Sequence, residues 1–284
     1  MAVQRGKRKV AKRSGKEYQR LSQHIGLLPL VMVAPADGDL IRGGGDERRR
    51  LMDHIISQSD HDYLDAVIRY GKAVEQRNSM IRHQMTDPLL YATVEQVMCQ
   101  AAQLVHRTRR QWIEQFTPIF MRYYSAVAGE GEKVKLKYES ALHDDDMEHL
   151  LNQSRQRDMA LGYTSQGVHR DDIDLLLDGY SMRRTGSQGQ CKTYTIALRL
   201  AQFDFLRQST GITPLLLLDD IFDRLDASRV ERIVEVVASD RFGQIFITDT
   251  NRTHIDRIVQ RLGGDHRLFV VDHGTCTPLS SPQP

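Results

Sequence analysis

Pro214-Leu215-Leu216-Leu217-Leu218-Asp219-Asp220-Ile221-Phe222-Asp223-Arg224-Leu225-Asp226 is the stretch that decides the fold. Four consecutive leucines ending in paired carboxylates predict a fully buried strand that delivers acid groups to its carboxyl end. In open α/β sheets ligands sit at that end. Two adjacent carboxylates there suit a hydrated Mg²⁺ and a positioned water, the electrostatic parts that phosphoryl transfer needs. An apolar run followed by one acid would say little. Leu225-Asp226 places a further acid in the following turn and implies a composite site. Purely structural acids at Asp219 and Asp220 are the competing reading.

The second half of the signal lies upstream, at Gly186-Ser187-Gln188-Gly189-Gln190. It precedes an amphipathic run from Thr193 to Leu206, with apolar residues at Ile196, Ala197, Leu200, Ala201, Phe203 and Leu206. Ser and Gly at a helix start turn backbone N–H groups and a hydroxyl toward an anion, and the helix dipole favours negative charge there. A Ser-x-Gly-Gln turn, a helix, then a strand with a carboxylate pair follow the order of the signature and Walker B segments of ABC-type ATPases.

With these segments the chain resembles the RecF family, SMC-like ABC ATPases of bacterial recombinational repair, and most of all its Bacteroides-group forms. The resemblance also rests on Lys16-Glu17-Tyr18, Arg20-Leu21-Ser22, His24 to Pro29, Pro35-Ala36-Asp37, Glu47-Arg48-Arg49, Asp53 and Tyr63-Leu64. Further on it includes Gln76-Arg77-Asn78, Gly167 to Asp172 and Gly243 to Thr248, so it runs from about Lys16 to Asp272. The fold it implies is α/β, an ABC-type ATPase head of the SMC/RecF kind with an inserted all-helical lobe. Residues 1–44 would be a remnant of ATPase lobe I, 45–128 the helical lobe II, 129–275 the head with signature and Walker B, and 276–284 a disordered tail.

One departure from the family pattern matters. Its proteins begin with a strand and a loop of form G-x-x-x-x-G-K-[ST], and the 284 residues contain none. Gly186 to Thr193 comes nearest, but Cys191 stands where the second Gly should be. Tyr180 to Thr185 on its left is too polar for the buried strand that a phosphate loop follows. The chain is therefore expected to correspond to a family member without its amino-terminal Walker A segment. By itself it should neither bind ATP tightly nor hydrolyse it.

Composition fits one or two soluble domains: 40% of residues are hydrophobic and the net charge is +2. No apolar run approaches the roughly 20 residues of a membrane helix. Met1 to Lys7 lacks an apolar signal core, so secretion is not expected. Cys99, Cys191 and Cys276 are isolated, which gives neither a disulfide framework nor a zinc knuckle. His169-Arg170-Asp171 looks like a kinase catalytic loop, but Leu176 occupies the Asn position and Asp204-Phe205-Leu206 is no Asp-Phe-Gly. His169 and Asp171 could orient the helical lobe near a nucleotide or simply fix their turn.

The first twenty residues carry Arg5, Lys7, Arg8, Lys9, Lys12, Arg13, Lys16 and Arg20 against Glu17 alone. This is either a phosphate-contacting edge or a solvated hairpin turning at Arg5-Gly6-Lys7, with its edge protected by lysines. Pro35 to Asp39 and Gly43-Gly44-Gly45 read as a loop, and Asp46-Glu47 as a helix start. From there to about Tyr124 three helical stripes follow: Leu51 to Ile56, Tyr63 to Ile81 and Leu90 to Tyr123. Arg107, Arg109 and Arg110 either contact DNA or lie on an exposed helix face. Beyond Gly129 the pattern predicts a strand over Lys133 to Tyr138 and a helix over Asp144 to Arg157. A hairpin turning at Asp178-Gly179 follows, and then a helix over Val230 to Val237. The strand Gln244 to Thr248, a helix after Asn251 and the strand Arg267 to Asp272 complete the series.

The resemblance implies roles residue by residue. Asp219 would hold Mg²⁺ through water, and Asp220 would orient or deprotonate the attacking water, where most ABC ATPases carry Glu. Ser187, Gln188, Gly189 and Gln190 would close over the γ-phosphate bound by a partner subunit. Asp226 would belong to the D-loop touching that subunit, and Pro35 and Asp37 would contact nucleotide. Thr248 stands where many ABC proteins place a switch His. Arg5, Lys7, Arg8, Lys9, Lys12 and Arg13 would contact DNA. ATP and Mg²⁺ as cofactors, ATP-dependent homodimerisation on double-stranded and gapped DNA, RecO and RecR as partners, and a cytoplasmic, nucleoid-associated location follow from the same resemblance. So do recombinase loading and the SOS response. The competing class is a non-catalytic fragment that keeps a DNA or RecR surface but cannot bind ATP.

Overall fold

The computed structural model describes residues 11–223, 225–239, 241–250, 255–256, 259 and 266–279. In chain order the elements are β1 (Lys12–Arg13), β2 (Lys16–Glu17), β3 (Leu30–Val33), α1 (Asp39–Arg42), α2 (Gly45–Ser57), α3 (His61–Arg82) and α4 (Pro88–Ala128). They continue as β4 (Val134–Glu139), α5 (Met147–Leu161), β5 (Asp172–Leu177), β6 (Tyr180–Ser181), α6 (Met182–Thr185) and α7 (Gln188–Thr210). The last are β7 (Leu215–Asp219), α8 (Ala227–Val237), β8 (Ile245–Thr248), β9 (Phe269–Asp272) and β10 (Thr275–Pro278).

The leucine run forms the middle strand of a parallel sheet ordered β3-β7-β8. It is not fully buried. Leu216 and Leu218 join Val31 and Val33 in the core, while Leu215 and Leu217 are half-buried. On their side of the sheet Leu30, Met32 and Phe246 are 43%, 45% and 48% exposed. Parallel sheets normally have both faces covered. Here the described residues cover one, so a run of four leucines overstated the burial.

The helical region starts as the turn chemistry dictates. Asp60 caps α3 by accepting from Tyr63 N, and Asp87 caps α4 by accepting from Leu89 N and Leu90 N, with Pro88 in the first turn. The 41-residue α4 runs four residues past Tyr124 and stops at Gly129, whose φ is 87°. Its apolar stripe, including Met98, Val105, Trp112, Phe116 and Phe120, packs on α3 and on α7. Helix α7 is apolar nearly all round: Tyr194, Ile196, Leu198, Leu200, Phe203 and Leu206 are all buried. It lies between α4 and the parallel sheet, contacting β3. Each such side chain, fully buried, contributes roughly 1.5–3 kcal/mol.

A second sheet, ordered β4-β5-β6, is antiparallel, and Asp178 and Gly179 make its hairpin turn at φ 50° and 84°. Other expectations shift. The stretch read as a loop before Gly45 contains α1, and the helix expected from Asp144 begins at Met147 with Asp146 as its cap. The second strand of the expected hairpin is short, and Met182 starts α6. Cys276 to Pro278, expected in a tail, pair as β10 with β9. The described basic hairpin turns at Ser14-Gly15, while the turn expected at Arg5-Gly6-Lys7 lies outside the described residues. So do most of the residues after Asn251 expected to be helical.

Arg109 corrects a sequence expectation outright. Its side chain is 3% exposed and neither faces solvent nor meets a partner's phosphate. The guanidinium donates to Asp171 Oδ2 at 2.7 Å, Val168 O at 2.7 Å, Asp53 Oδ1 at 2.9 Å and Tyr63 OH at 3.0 Å. Tyr138 also donates its hydroxyl to Asp171. Burial, partly offset by Arg109, leaves the Asp171 pKa raised. Arg107 and Arg110 are exposed, which leaves both of their readings open. Next to this network Arg48 grips Asp172 with two bonds of 2.6 and 2.8 Å. His169 takes Tyr70 OH on Nδ1 at 2.8 Å and donates from Nε2 to Thr164 O at 3.0 Å. The Gly167 to Asp172 segment is thus a bolt between α2, α3, α4 and β5.

Arg109→Met should strand Asp171 as a buried acid and destabilise the fold by about 3–5 kcal/mol; urea unfolding of the two proteins checks it. A pH effect comes from His106, whose pKa burial lowers to about 4, helped by His143, Arg110 and Arg109. The unfolded chain, with a His pKa of about 6.5, binds the extra proton first. Stability should therefore be full above pH 6.5 and fall as pH drops toward 4. His106→Gln should make that fall shallower in melts recorded across the same range.

Candidate functional site at the carboxyl end of the parallel sheet

The two acids of the opening motif leave the sheet in different ways. Asp219 is the last residue of β7 and pairs in register with Thr248 of β8. Its Oδ1 accepts the Thr248 hydroxyl at 2.5 Å, so Thr248 serves the acid here. Asp220 has a φ of 47°, a left-handed conformation that costs a non-glycine residue roughly 1–2 kcal/mol. Several contacts hold it there. Its N–H donates to Thr248 O at 3.0 Å, and Ile221 and Phe222 beyond it are buried. Lys192 Nζ donates to Asp220 O at 3.2 Å and to Asp223 O at 2.7 Å. The turn is thereby fixed to α7 just past its first turn.

That first turn is a capping box. Gln190 N donates to Ser187 Oγ at 3.2 Å, and Ser187 N donates to Gln190 Oε1 at 2.9 Å. Gly186 before it has no room for a side chain, since a Cβ would meet Met182 O at 2.7 Å. Ser187 and Gln188 are exposed, and Gly189 and Gln190 half-buried. A 23-residue helix therefore begins at the surface. Asp226 caps α8 in the same manner, accepting Ser228 Oγ at 2.6 Å and Arg229 N at 2.9 Å. Those two bonds hold its carboxyl below the usual range.

Pro35 and Asp37 sit just past the carboxyl end of β3, beside that of β7. Asp37 uses both oxygens within the protein: Oδ2 accepts Ala34 N at 2.9 Å and Oδ1 accepts Arg199 NH2 of α7 at 2.5 Å. Lys12 and Arg13 are exposed on the small β1-β2 hairpin. Arg5, Lys7, Arg8 and Lys9 lie outside the described residues. The structure thus sets Asp219 and Asp220 at one strand end, tied through Lys192 to α7, the helix that Ser187 caps, and leaves the basic hairpin as a separate feature.

Four residues that sequence reasoning passed over bind this site: Lys192, Arg199, Arg229 and Glu132. Lys192 and Arg199 lie on α7 and Arg229 stands three residues after Asp226, spacings that could have drawn notice. Glu132 is 58 positions from its partner Gln190, and no local pattern reveals it.

Chemically, the carboxylates of Asp219 and Asp220 with the Thr248 hydroxyl form a hard-oxygen set. It suits Mg²⁺ held through one or two carboxylates, waters and substrate phosphates, but not a cage made by protein alone. Among the described residues no group of three or more His, Cys, Asp or Glu could hold a metal by itself. A cavity of about 260 Å³ lies elsewhere, lined by Arg49, Tyr70, Arg109 and His169 among others. The acids of the strand end are not part of its wall, so the candidate site is the open strand end.

No protein-family model matches the chain. It is 51% identical over 282 residues to the DNA replication and repair protein RecF of Bacteroides thetaiotaomicron, covering 99% of this chain and 76% of that protein. The protein of the same name from Parabacteroides distasonis is 53% identical over 278 residues, covering 98% and 76%. A solved structure of the recombination mediator protein RecF with ATP, in the RecFOR pathway, superposes with a TM-score of 0.82 at 23% identity, covering 96% of this chain and 73% of that one. A second RecF structure, with ATPrS, gives the same TM-score and identity over 98% and 75%. The α/β ATPase head with its large helical region is therefore the RecF fold.

Proposed function

The chain belongs to the RecF family, and on that premise we propose that it carries the signature and Walker B half of an ATP-dependent DNA repair and replication protein. The observation that supports this reading most is the junction of the two motifs. Asp219 and Asp220 stand at the carboxyl end of a parallel strand, with Lys192 fastening their turn to α7, the helix that the Ser187 capping box begins. Asp219 would take Mg²⁺ through water, and Asp220 would hold the attacking water and receive its proton. Ser187, Gln188, Gly189 and Gln190 would receive the γ-phosphate of a nucleotide held by a second copy, with Asp226 touching that copy. Bound Mg²⁺ would neutralise charge between the phosphates and these acids.

The phosphate cradle itself would come from elsewhere. The 284 residues contain no G-x-x-x-x-G-K-[ST], and the relatives are longer by about a quarter of their length. Acids alone repel a triphosphate. Pro35 and Asp37 would meet the nucleotide across the strand ends. As a whole protein, the reading extends to ATP-dependent dimerisation on double-stranded DNA at gaps, to work with RecO and RecR in loading recombinase, and to the SOS response, in the cytoplasm at the nucleoid. The relatives' names and the RecFOR pathway of the solved structures support it in outline. A second reading is a non-catalytic protein that binds DNA or RecR.

Two measurements separate the readings. The 284-residue chain should show no Mg²⁺-dependent ATP hydrolysis. Fused behind the amino-terminal quarter of the Bacteroides thetaiotaomicron relative, it should bind ATP, dimerise and turn over. In that fusion Asp220→Asn should keep binding and lose turnover, and Ser187→Arg should keep monomer binding and lose ATP-driven dimerisation in light scattering. Hydrolysis by the 284-residue chain, or a fusion that stays inert, would refute the assignment. For DNA, binding to duplex should fall steeply with salt, by a log–log slope of about −0.9 per phosphate neutralised, with little sequence preference. Removing Lys12 and Arg13 should lower that slope, and a salt-insensitive or strongly sequence-selective complex would count against a phosphate-binding edge.

A further inference from the structure

The carboxyl end of α4, the start of α7 and the start of α8 meet at a single side chain, Glu132, in the connection between α4 and β4. Its Oε1 accepts Gln190 Nε2 at 2.8 Å, and its Oε2 accepts the hydroxyl of Tyr124 from the last turns of α4. Arg229 of α8 lies 3.6 Å from Oε1 and supplies the opposite charge. The same guanidinium reaches back to Asp226 at 3.4 Å and donates to Thr193 Oγ1 of α7 at 3.1 Å. Arg232, one turn on, donates to Ala128 O at the end of α4 at 2.8 Å. The Glu132 side chain is 24% exposed, and Tyr124 is buried.

Each bond has a directional consequence. Gln190 has one side-chain amide with two ends. Its oxygen closes the capping box on Ser187 N, and its NH₂ is claimed by Glu132. With both ends occupied, the Gln190 side chain has one orientation, and the Ser187 hydroxyl keeps its proton free to donate outward. Arg229 is likewise held from two sides, by Glu132 and by Asp226. A displacement of the last turn of α4 would move Tyr124, then Glu132, and with it both helix starts.

We propose that Glu132 is a positioning residue that sets the Ser187-to-Gln190 turn and the Asp226 cap together and ties both to the end of the long helix of the helical lobe. Its functional consequence rests on reading that turn as the phosphate-receiving signature. The coupling itself is a property of the chain without nucleotide. Beside the packing of α4 on α7 and α8 and the Arg232–Ala128 bond, this carboxylate then passes strain or movement in the helical lobe to both loops that face a second copy.

Amide hydrogen exchange on the 284-residue chain tests the coupling directly. In Glu132→Ala, exchange should rise about five-fold, the factor a lost cap produces, in segments 187–193 and 226–230 and not in α3. Glu132→Gln keeps an oxygen for Gln190 but no charge for Arg229. It should restore segment 187–193 and leave 226–230 loosened. Tyr124→Phe touches neither segment, keeps the ring's packing, and should loosen 187–193 through Glu132; it also serves if Glu132→Ala does not fold. An unchanged 187–193 segment, a rise shared equally by α3, or an α8 start indifferent to both Glu132 variants overturns the proposal. None of these outcomes depends on ATP. The signature reading stands or falls separately, with Ser187→Arg in ATP-driven dimerisation.

Discussion

The buried Arg109–Asp171 pair is the constraint from which the rest of the architecture follows. A guanidinium taken out of water is tolerated only where its N–H groups find acceptors and its charge finds a counter-ion. Arg109 on α4 meets those needs with Asp53 from α2, Tyr63 from α3, and Val168 O and Asp171 from the turn leading into β5. The three long helices and the antiparallel sheet can therefore be assembled in few ways without stranding a charge. Arg48 on Asp172 repeats the device one residue further on. Burial works to raise the Asp172 pKa, and the Arg48 bonds, the Ile173 N–H and the charges of Arg48 and Arg49 together lower it.

A second buried cluster fastens the far end of the same lobe. Arg77, 1% exposed, binds Glu95 at 2.8 Å and Asp158 at 2.7 Å, linking α3, α4 and α5. Asp158 in turn receives Ser165 N and its hydroxyl, which fixes the loop running toward His169. Such networks need not add net stability over a well-packed apolar core. Their effect is to define one relative placement of helices that would otherwise slide along apolar stripes.

Placement of the helical lobe matters because α4 is common to everything. It packs on α3 at one side and on α7 and α8 at the other, and its end lies against the two helix starts of the candidate site. The site is built on strand ends and helix starts, and its one strained residue, Asp220, is held by Thr248 and Lys192 from neighbouring elements. A carboxylate kept in an unfavourable backbone conformation by such support is typical of functional positions. The other face of the parallel sheet is different in kind: Leu30, Met32 and Phe246 on it are about half exposed, and no described element packs over them.

Local chemistry was legible without the structure. Periodicity located the three long helices, the turn residues Asp178-Gly179 placed a hairpin, and Ser187 with Gln190 announced a helix start, because each depends only on residues a few positions apart. The leucine run gave the central strand and the two acids at its end. What the sequence could not determine was which charges would be buried. Arg107, Arg109 and Arg110 are alike on paper, yet only Arg109 points inward, to partners 46 to 62 positions away. Nor could four leucines tell how many faces of their strand are covered, since that depends on what packs beside them. Glu132 and Lys192 joined the site for the same reason. Residue type and spacing fix local structure and the chemistry available, whereas burial and pairing belong to the assembled chain and only the tertiary structure decided them.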